Sequence, residues 1–204
     1  MSQPTGDVGA ALVAAASDLL TRGGPEFVTL RAVGRATGVS RTAPYRHFTD
    51  KDDLLSAVAA ESMNRLTEAM RHGAADEAAG GTPLSRACLG YARAAMERPA
   101  HYRLMFGDFP INRPSAELER AADECAKVLY DLVAEAQSEG VLPAVDVREV
   151  GTLLWAALHG LVDLTLTRHL HEPRTVDGVD AMPTLVAVAI QNWVTGKAAP
   201  HVRS

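Results

Sequence analysis

The stretch Val28-Thr-Leu-Arg-Ala-Val-Gly-Arg-Ala-Thr-Gly-Val-Ser-Arg-Thr-Ala-Pro-Tyr-Arg-His-Phe-Thr-Asp-Lys-Asp-Asp-Leu-Leu55 decides the architecture of this 204-residue chain. Thr29 is an N-cap residue for a short helix from Leu30 to Thr37. Gly38 ends that helix, because glycine adopts left-handed backbone without a Cβ penalty. Val39 and Ser40 then open a second short helix through about Phe48. Two short helices joined by a glycine-containing turn form a DNA-reading unit. The first helix must be small where it crosses the second, and Ala32 and Ala36 meet that need. Val33 and Val39 supply the core beneath. Gly34 costs about 1 kcal/mol against alanine inside a helix, so a close contact is expected there. Pro44 is tolerated only in a first turn, which starts the second helix no earlier than about Arg41.

The side chains on this unit suit a duplex. Arg41 fits a guanine edge, bidentate to O6 and N7, and Thr42 and Ala43 fit thymine methyls. Tyr45, His47 and Lys51 suit phosphate oxygens, and the first N–H groups of the helix opening at Lys51 add an anion site. Phe48 reads as core and Arg46 as solvated surface. Charge is distributed accordingly. Residues 22–51 hold six basic residues against Glu26 and Asp50, a local net of +4, so the rest of a chain of net −5 carries −9. A short basic block on an acidic body is the footprint of a small DNA-reading head.

Outward from this block the pattern is helical throughout. A first helix runs from about Val8 to Thr21, with Leu12, Ala15, Ala16, Leu19 and Leu20 at 3–4 spacing, and stops at Gly23-Gly24-Pro25. Asp50 caps a long helix from Lys51 to about Arg71, with Leu55, Ala59, Leu66 and Met70 on one face. His72–Gly81, small and polar, reads as a loop or domain boundary. Thr82-Pro83 opens the next helix, ending near Arg98-Pro99, and a short one covers Tyr102–Phe106. Ser115 caps a helix to Glu139, and Asp146 with Glu149 opens one to about Arg168. A loop over His171–Asp180 leads to a last helix, about Ala181 to Thr195. The fold class is therefore all-α, with about nine helices: an N-terminal three-helix head carrying the helix-turn-helix, and a C-terminal helical bundle. Residues 1–52 are expected to form the DNA-binding domain and 53–204 the ligand-binding and dimerisation domain.

Other classes are poorly supported. Cys88 and Cys125 lie far apart with no histidine or cysteine at ligand spacing, so neither a disulfide scaffold nor a metal site is expected. Both read as small buried residues in a reduced, cytoplasmic setting. The N-terminus has no signal-peptide pattern. The apolar run Leu153–Leu166 is interrupted by His159, Gly160 and Asp163 and falls short of the roughly 20 residues that cross a bilayer. No Gly-rich phosphate loop, nucleophile elbow or metal-spaced His/Glu cluster is present, so neither catalysis nor a cofactor is expected. The rival reading is a helical small-molecule-binding protein or enzyme that uses the bundle without specific DNA binding.

Three pieces of the head together resemble the TetR family of transcriptional regulators: Gly38-Val39-Ser40 at the turn, Tyr45-x-His47-Phe48, and Lys51 followed by Leu54-Leu55. The resemblance implies that Arg41 and Thr42 read bases while Thr29, Tyr45, His47 and Lys51 hold phosphates. Pro44 departs from the leucine common at its position in the family. In the body, Tyr102-Arg-Leu-Met-Phe-Gly107 and Trp155-x-x-x-His159-Gly160 resemble the WHG-type regulator domain. That resemblance implies a ligand-receiving bundle, and a homodimer joined through the last two helices of each subunit. A dimer with two heads calls for a palindromic operator on double-stranded DNA. The expected function is a repressor released by a small, largely apolar effector. Tyr91, Met96, Tyr102, Met105, Phe106, Trp155 and His159 are the candidate pocket residues, aromatic and soft side chains with few polar groups. Gly160 reads as a packing residue. Leu154, Leu158, Leu161, Leu185, Val188 and Asn192 are candidates for the dimer face.

Overall fold

A computed structural model describes residues 8–107, 111–169, 175–176, 179–180 and 185–186. Among the described residues there are eight α-helices: α1 (Val8–Gly23), α2 (Leu30–Thr37), α3 (Pro44–His47), α4 (Lys51–Ala75), α5 (Pro83–Glu97), α6 (Pro99–Phe106), α7 (Ala116–Ser138) and α8 (Val147–Leu166). The expected ninth helix, with Val188 and Asn192, lies outside the described residues apart from exposed Leu185 and buried Val186. Within the stretch read as a loop, β1 (Thr175–Val176) pairs antiparallel with β2 (Val179–Asp180), Thr175 opposite Asp180. Two-residue strands are too short to show alternation in a sequence.

Helix ends follow local chemistry. Thr29 Oγ1 accepts from the Ala32 N–H at 3.1 Å, and Gly38 has φ 70°, the left-handed value expected of it. α4 runs to Ala75, past the Arg71 end the composition suggested, and α6 begins at Pro99 because proline is at home in a first turn. Ser115 caps α7 through the Leu118 N–H at 3.2 Å, and Asp146 caps α8 through Arg148 and Glu149.

The chain divides into two compact units, Met1–Arg65 with Glu97–Cys125, and Leu66–Met96 with Ala126–Ser204. The core of the first unit is built from Leu12, Ala16 and Leu20 of α1, Val28, Leu30 and Val33, Phe48, and Leu54, Leu55, Val58 and Ala59 of α4, closed by Leu104 of α6. Leu12, Ala16 and Leu20 recur every fourth residue, one stripe of a 3.6-residue period. Full burial of a side chain like Leu12 stabilises by about 1.5–3 kcal/mol. In the second unit α5 crosses the end of α4 at two glycines. A Cβ on Gly90 would lie 2.3 Å from the Ala69 carbonyl oxygen, and one on Gly73 2.4 Å from that of Arg86. Arg86 donates to the Ala74 carbonyl at 3.2 Å and to the Gly81 carbonyl at 2.8 Å, closing the C-terminus of α4. The Tyr130 ring of α7 occupies the space a side chain at Gly151 of α8 would need, with Arg148 over its face.

Candidate nucleic-acid interface

The reading segment is shorter than the sequence suggested. α3 spans only Pro44–His47, with Pro44 in its first turn. Arg41, Thr42 and Ala43 lie ahead of it in a turn closed by the Ala43 N–H to the Ser40 carbonyl at 3.0 Å. Proline has no N–H and clashes with the carbonyl four residues back, so it resists a longer helix through this point. The close contact expected at Gly34 is present, and its partner is Pro44: a Cβ on Gly34 would lie 2.8 Å from Pro44 Cγ. Both residues are buried. The small residue at this contact is therefore Gly34, while Ala36 is exposed and Ala32 half-buried. Val33 is fully buried and Val39 packs against the same core.

Arg41, Thr42, Tyr45, Arg46 and His47 are all exposed, and Ala43 is half-buried. Tyr45 leaves 59% of its surface in solvent, a large aromatic that the head's own core does not use. Phe48 beside it is buried and pins the end of α3. Thr29 uses its oxygen as a helix cap, which leaves its O–H proton to donate elsewhere. Arg31 and Arg35, one turn apart on α2, join Arg41 and Tyr45 around a groove of about 500 Å³ floored by Gly34 and Val39. Among the described residues no ion pair neutralises these three arginines. The sequence reading missed Arg31 and Arg35, although their i, i+4 spacing places them on one face.

The start of α4 carries the Asp50 cap that the sequence predicts, with a second bond beside it. Asp50 Oδ1 accepts from the Asp53 N–H at 2.9 Å, and Asp53 Oδ2 accepts from the Thr49 N–H at 2.9 Å, a reciprocal cap. The Asp53 and Asp52 N–H groups, with Arg113 beside them, hold the Asp50 carboxyl below its ordinary range. One of the N–H groups expected to form an anion site at this helix start, that of Asp53, is thus taken by the chain's own carboxylate. Lys51, the next residue after Asp50, is half-buried.

Residues 12–58 match the sequence profile of bacterial regulatory proteins of the tetR family, and residues 84–188 match that of tetracyclin repressor-like C-terminal domains. The chain belongs to the TetR family. It is a DNA-binding transcriptional regulator with a helix-turn-helix head. A search of curated proteins by sequence gives no match. Among solved structures, a protein of unknown function from Rhodococcus sp. RHA1 superposes with TM-score 0.79 at 25% identity, covering 95% of this chain and 97% of its own. The fatty acid degradation regulator FadR from Bacillus halodurans shares the fold at TM-score 0.65 and 15% identity, over 96% of this chain and 99% of that one. The TetR family regulator PfmR from Thermus thermophilus does so at TM-score 0.62 and 19% identity, over 92% and 99%.

In this TetR-family regulator the candidate effector residues are placed as follows. Tyr91 of α5 is buried and Met96 half-buried. On α6, Tyr102 is buried with its ring 5.0 Å from that of Phe106, which is half-buried like Met105. On α8, Trp155 is 41% exposed and its ring lies 5.4 Å from that of His159. Two local pairs are thus assembled, Tyr102 with Phe106 and Trp155 with His159. Cys88 is buried as expected, and burial pushes its thiol up to about 12; Cys125 is only half-buried. No group of residues able to hold a metal ion occurs among the described residues, and no helix there is long and apolar enough to cross a membrane. His169 is exposed, and His171 lies outside the described residues.

Leu154 and Leu158, expected on the dimer face, are buried inside their own subunit. The apolar side of α8 that faces solvent is a different stripe, Leu153, Ala157 and Leu164, with Ala156 exposed at its edge. A side chain at Gly160, in the same stripe, would meet nothing within 4 Å. Among the described residues nothing lies within reach of a side chain at Gly160, which is itself half-buried.

One group has no counterpart in the sequence reading. His101 of α6 is only 2% exposed, and its Nε2 lies 2.8 Å from Ser17 Oγ of α1. Arg98 Nη2 donates to Ser17 Oγ at 2.8 Å and lies 3.0 Å from His101 Nε2. Guanidinium nitrogens only donate, so Nε2 is the accepting nitrogen and the neutral ring carries its proton on Nδ1. Burial, then the Arg98 charge, push His101 down to about 4. No pattern along the chain announces this cluster, because Ser17 stands 81 residues from Arg98 and 84 from His101.

Proposed function

We propose that this regulator is a homodimeric repressor that occupies a palindromic operator and leaves it when a small, largely apolar effector binds. Residues 1–52 form the DNA-binding head and 53–204 the effector-binding and dimerisation part. Arg41, Thr42 and Ala43 face base edges; Thr29, Tyr45, His47 and Lys51 hold backbone phosphates. The observation that carries this reading is the exposed reading segment, on which Arg41, Thr42, Tyr45 and His47 all remain in solvent beside an unneutralised arginine groove. Basic side chains free of internal ion pairs are available to neutralise backbone phosphates.

Dimerisation runs through the last two helices. The apolar stripe of α8 supports this, since Leu153, Ala157 and Leu164 are exposed and Gly160 beside them has no side chain to obstruct a close approach. Tyr91, Met96, Tyr102, Met105, Phe106, Trp155 and His159 are the effector residues, and the effector acts by binding the DNA-incompetent form more tightly. The protein works in the cytoplasm without catalysis or cofactor.

Selection of random duplex DNA with the purified full chain tests the reading: enrichment of a palindrome is expected. Lys51→Ala should then weaken binding to all sequences and lower the salt slope by about 1 per head, whereas Arg41→Ala should relax preference at one position. No enrichment, combined with small-molecule binding or turnover, would replace the regulator with a helical binding protein or enzyme.

A further inference from the structure

The groove on the head offers more than a row of charges. All of its lining lies between α2 and α3, inside the first compact unit. Its floor is apolar: Leu30 and Gly34 are buried and Val39 is half-buried. The floor is also stiff, because the Pro44 ring is seated against Gly34, where a Cβ would lie 2.8 Å from Pro44 Cγ. Tyr45 contributes an aromatic ring with 59% of the residue in solvent. Arg31, Arg35 and Arg41 complete the lining, all exposed and none in an ion pair among the described residues. The volume of about 500 Å³ falls within the span of about 300–1,000 Å³ typical of small-ligand sites.

We propose that this groove binds a free nucleoside triphosphate, base against Tyr45 and phosphates on the arginines, and that the bound nucleotide excludes the operator. The binding stands by itself; the exclusion rests on the DNA-binding reading above. A guanidinium grips phosphate through two parallel hydrogen bonds and keeps its charge at any ordinary pH. Three guanidiniums around one groove suit a chain of phosphates better than a single one. The ring and the floor then decide which bearer of phosphate fits. In a duplex each base is covered by its stacked neighbours, so a protein meets only base edges and backbone. A free nucleotide leaves the face of its base open, and such a face stacks on an aromatic side chain. The operator therefore uses the arginines alone, whereas a nucleotide uses arginines, ring and apolar floor together. Arg41 and Tyr45 serve both ligands, so the two cannot be held at once. The operator binds only the nucleotide-free fraction, and its apparent affinity scales with that fraction. The head thus takes an input of its own, apart from the effector of the body.

ATP, inorganic triphosphate and adenosine are the probes, applied to the intact chain at one ionic strength, since exposed charges are screened by salt. Titration calorimetry reads direct binding, and fluorescence anisotropy with a selected operator reads competition. ATP should bind and displace the operator. Triphosphate, with no base to stack, should bind about tenfold more weakly. Adenosine, with no phosphate, should displace nothing. Arg35→Met should weaken ATP about tenfold, the worth of one charge-assisted contact. Arg46→Met removes an equal charge from the same head outside the groove, and should change ATP binding by less than about twofold. Both variants alter exposed side chains, so the fold should persist, which circular dichroism checks. Absence of ATP binding would overturn the proposal. Triphosphate binding as tightly as ATP would do so too, leaving a plain phosphate seat for the DNA backbone. Equal losses in Arg35→Met and Arg46→Met would reduce the effect to diffuse attraction, and bound ATP that leaves the operator in place would put the nucleotide away from the reading face. A chain that binds ATP in the expected pattern yet selects no DNA would keep the nucleotide site and remove the regulator reading.

Discussion

Gly34→Ala is the substitution whose outcome says most about how the head reads DNA. Taken locally it should stabilise, since alanine is better than glycine inside a helix by about 1 kcal/mol. The tertiary contact opposes this. The new Cβ would sit 2.8 Å from Pro44 Cγ, against an optimal carbon–carbon separation of about 3.5–4.0 Å. The gap must open by roughly 0.7–1.2 Å. A pyrrolidine ring cannot swing aside like the end of a long side chain, so the backbone of the reading segment must move. Overpacking of this kind costs about 1–3 kcal/mol. The net change in folding stability is therefore a loss of about 0–2 kcal/mol, the difference between the two terms. The larger effect should fall on the operator, because Arg41, Thr42 and Ala43 directly precede the displaced proline. Adding Pro44→Ala removes the obstructing ring. The double variant should regain stability, with a coupling of about 0.5–3 kcal/mol between the two sites. Urea denaturation gives the stabilities, and fluorescence anisotropy with a selected operator gives the affinities. If Gly34→Ala melts higher than wild type and binds its operator unchanged, Pro44 yields freely and the seat does not set the reading segment.

Three further outcomes are expected. His101 has its folded value pushed down to about 4 from an ordinary 6.5 by burial and Arg98, with Arg65 adding and Glu61 and Asp18 opposing. A depressed histidine makes the unfolded chain the better proton acceptor between those values. Stability should thus fall as pH drops from about 6.5 to about 4, by at most about 1.4 kcal/mol per unit, and His101→Asn should flatten that part of the thermal-melt profile. Leu164→Glu changes an exposed side chain, so the subunit should keep its fold while sedimentation reports a smaller species and operator affinity drops; an unchanged mass would remove α8 from the dimer face. Cys88, buried with its thiol at about 12, should resist iodoacetamide in the native protein while half-buried Cys125 is modified; equal labelling rates would mean that α5 opens easily.

Most of the fold was legible because it rests on short-range rules. Thr29 and Gly38 delimit α2 where cap chemistry says they should, and Thr82-Pro83, Ser115 and Asp146 open their helices as expected. The stripe Leu55, Ala59, Leu66 and Met70 is buried as its spacing requires. The ends that shifted did so where composition misleads. Residues 72–75 are small and polar and read as a loop, yet they continue α4, and the carbonyls there are held by Arg86 from the next helix.

The candidate site divides along the same line. Amphipathic spacing identified α8 as a two-sided apolar helix, but periodicity alone cannot say which side faces the subunit's own core. Leu154 and Leu158 turned inward and Leu153 and Leu164 outward. In the head, residue types and order alone marked Arg41, Thr42, Tyr45, His47 and Lys51 and the turn at Gly38, because caps, turn formers and hydrogen-bonding groups act within a few residues of chain. Which atoms meet across the chain was decided only in three dimensions: Pro44 on Gly34, Arg113 on Asp50, and Ser17 held by Arg98 and His101 from more than eighty positions away. Such contacts depend on how helices pack, and packing is fixed by the shape of the whole core, which no local window of sequence contains.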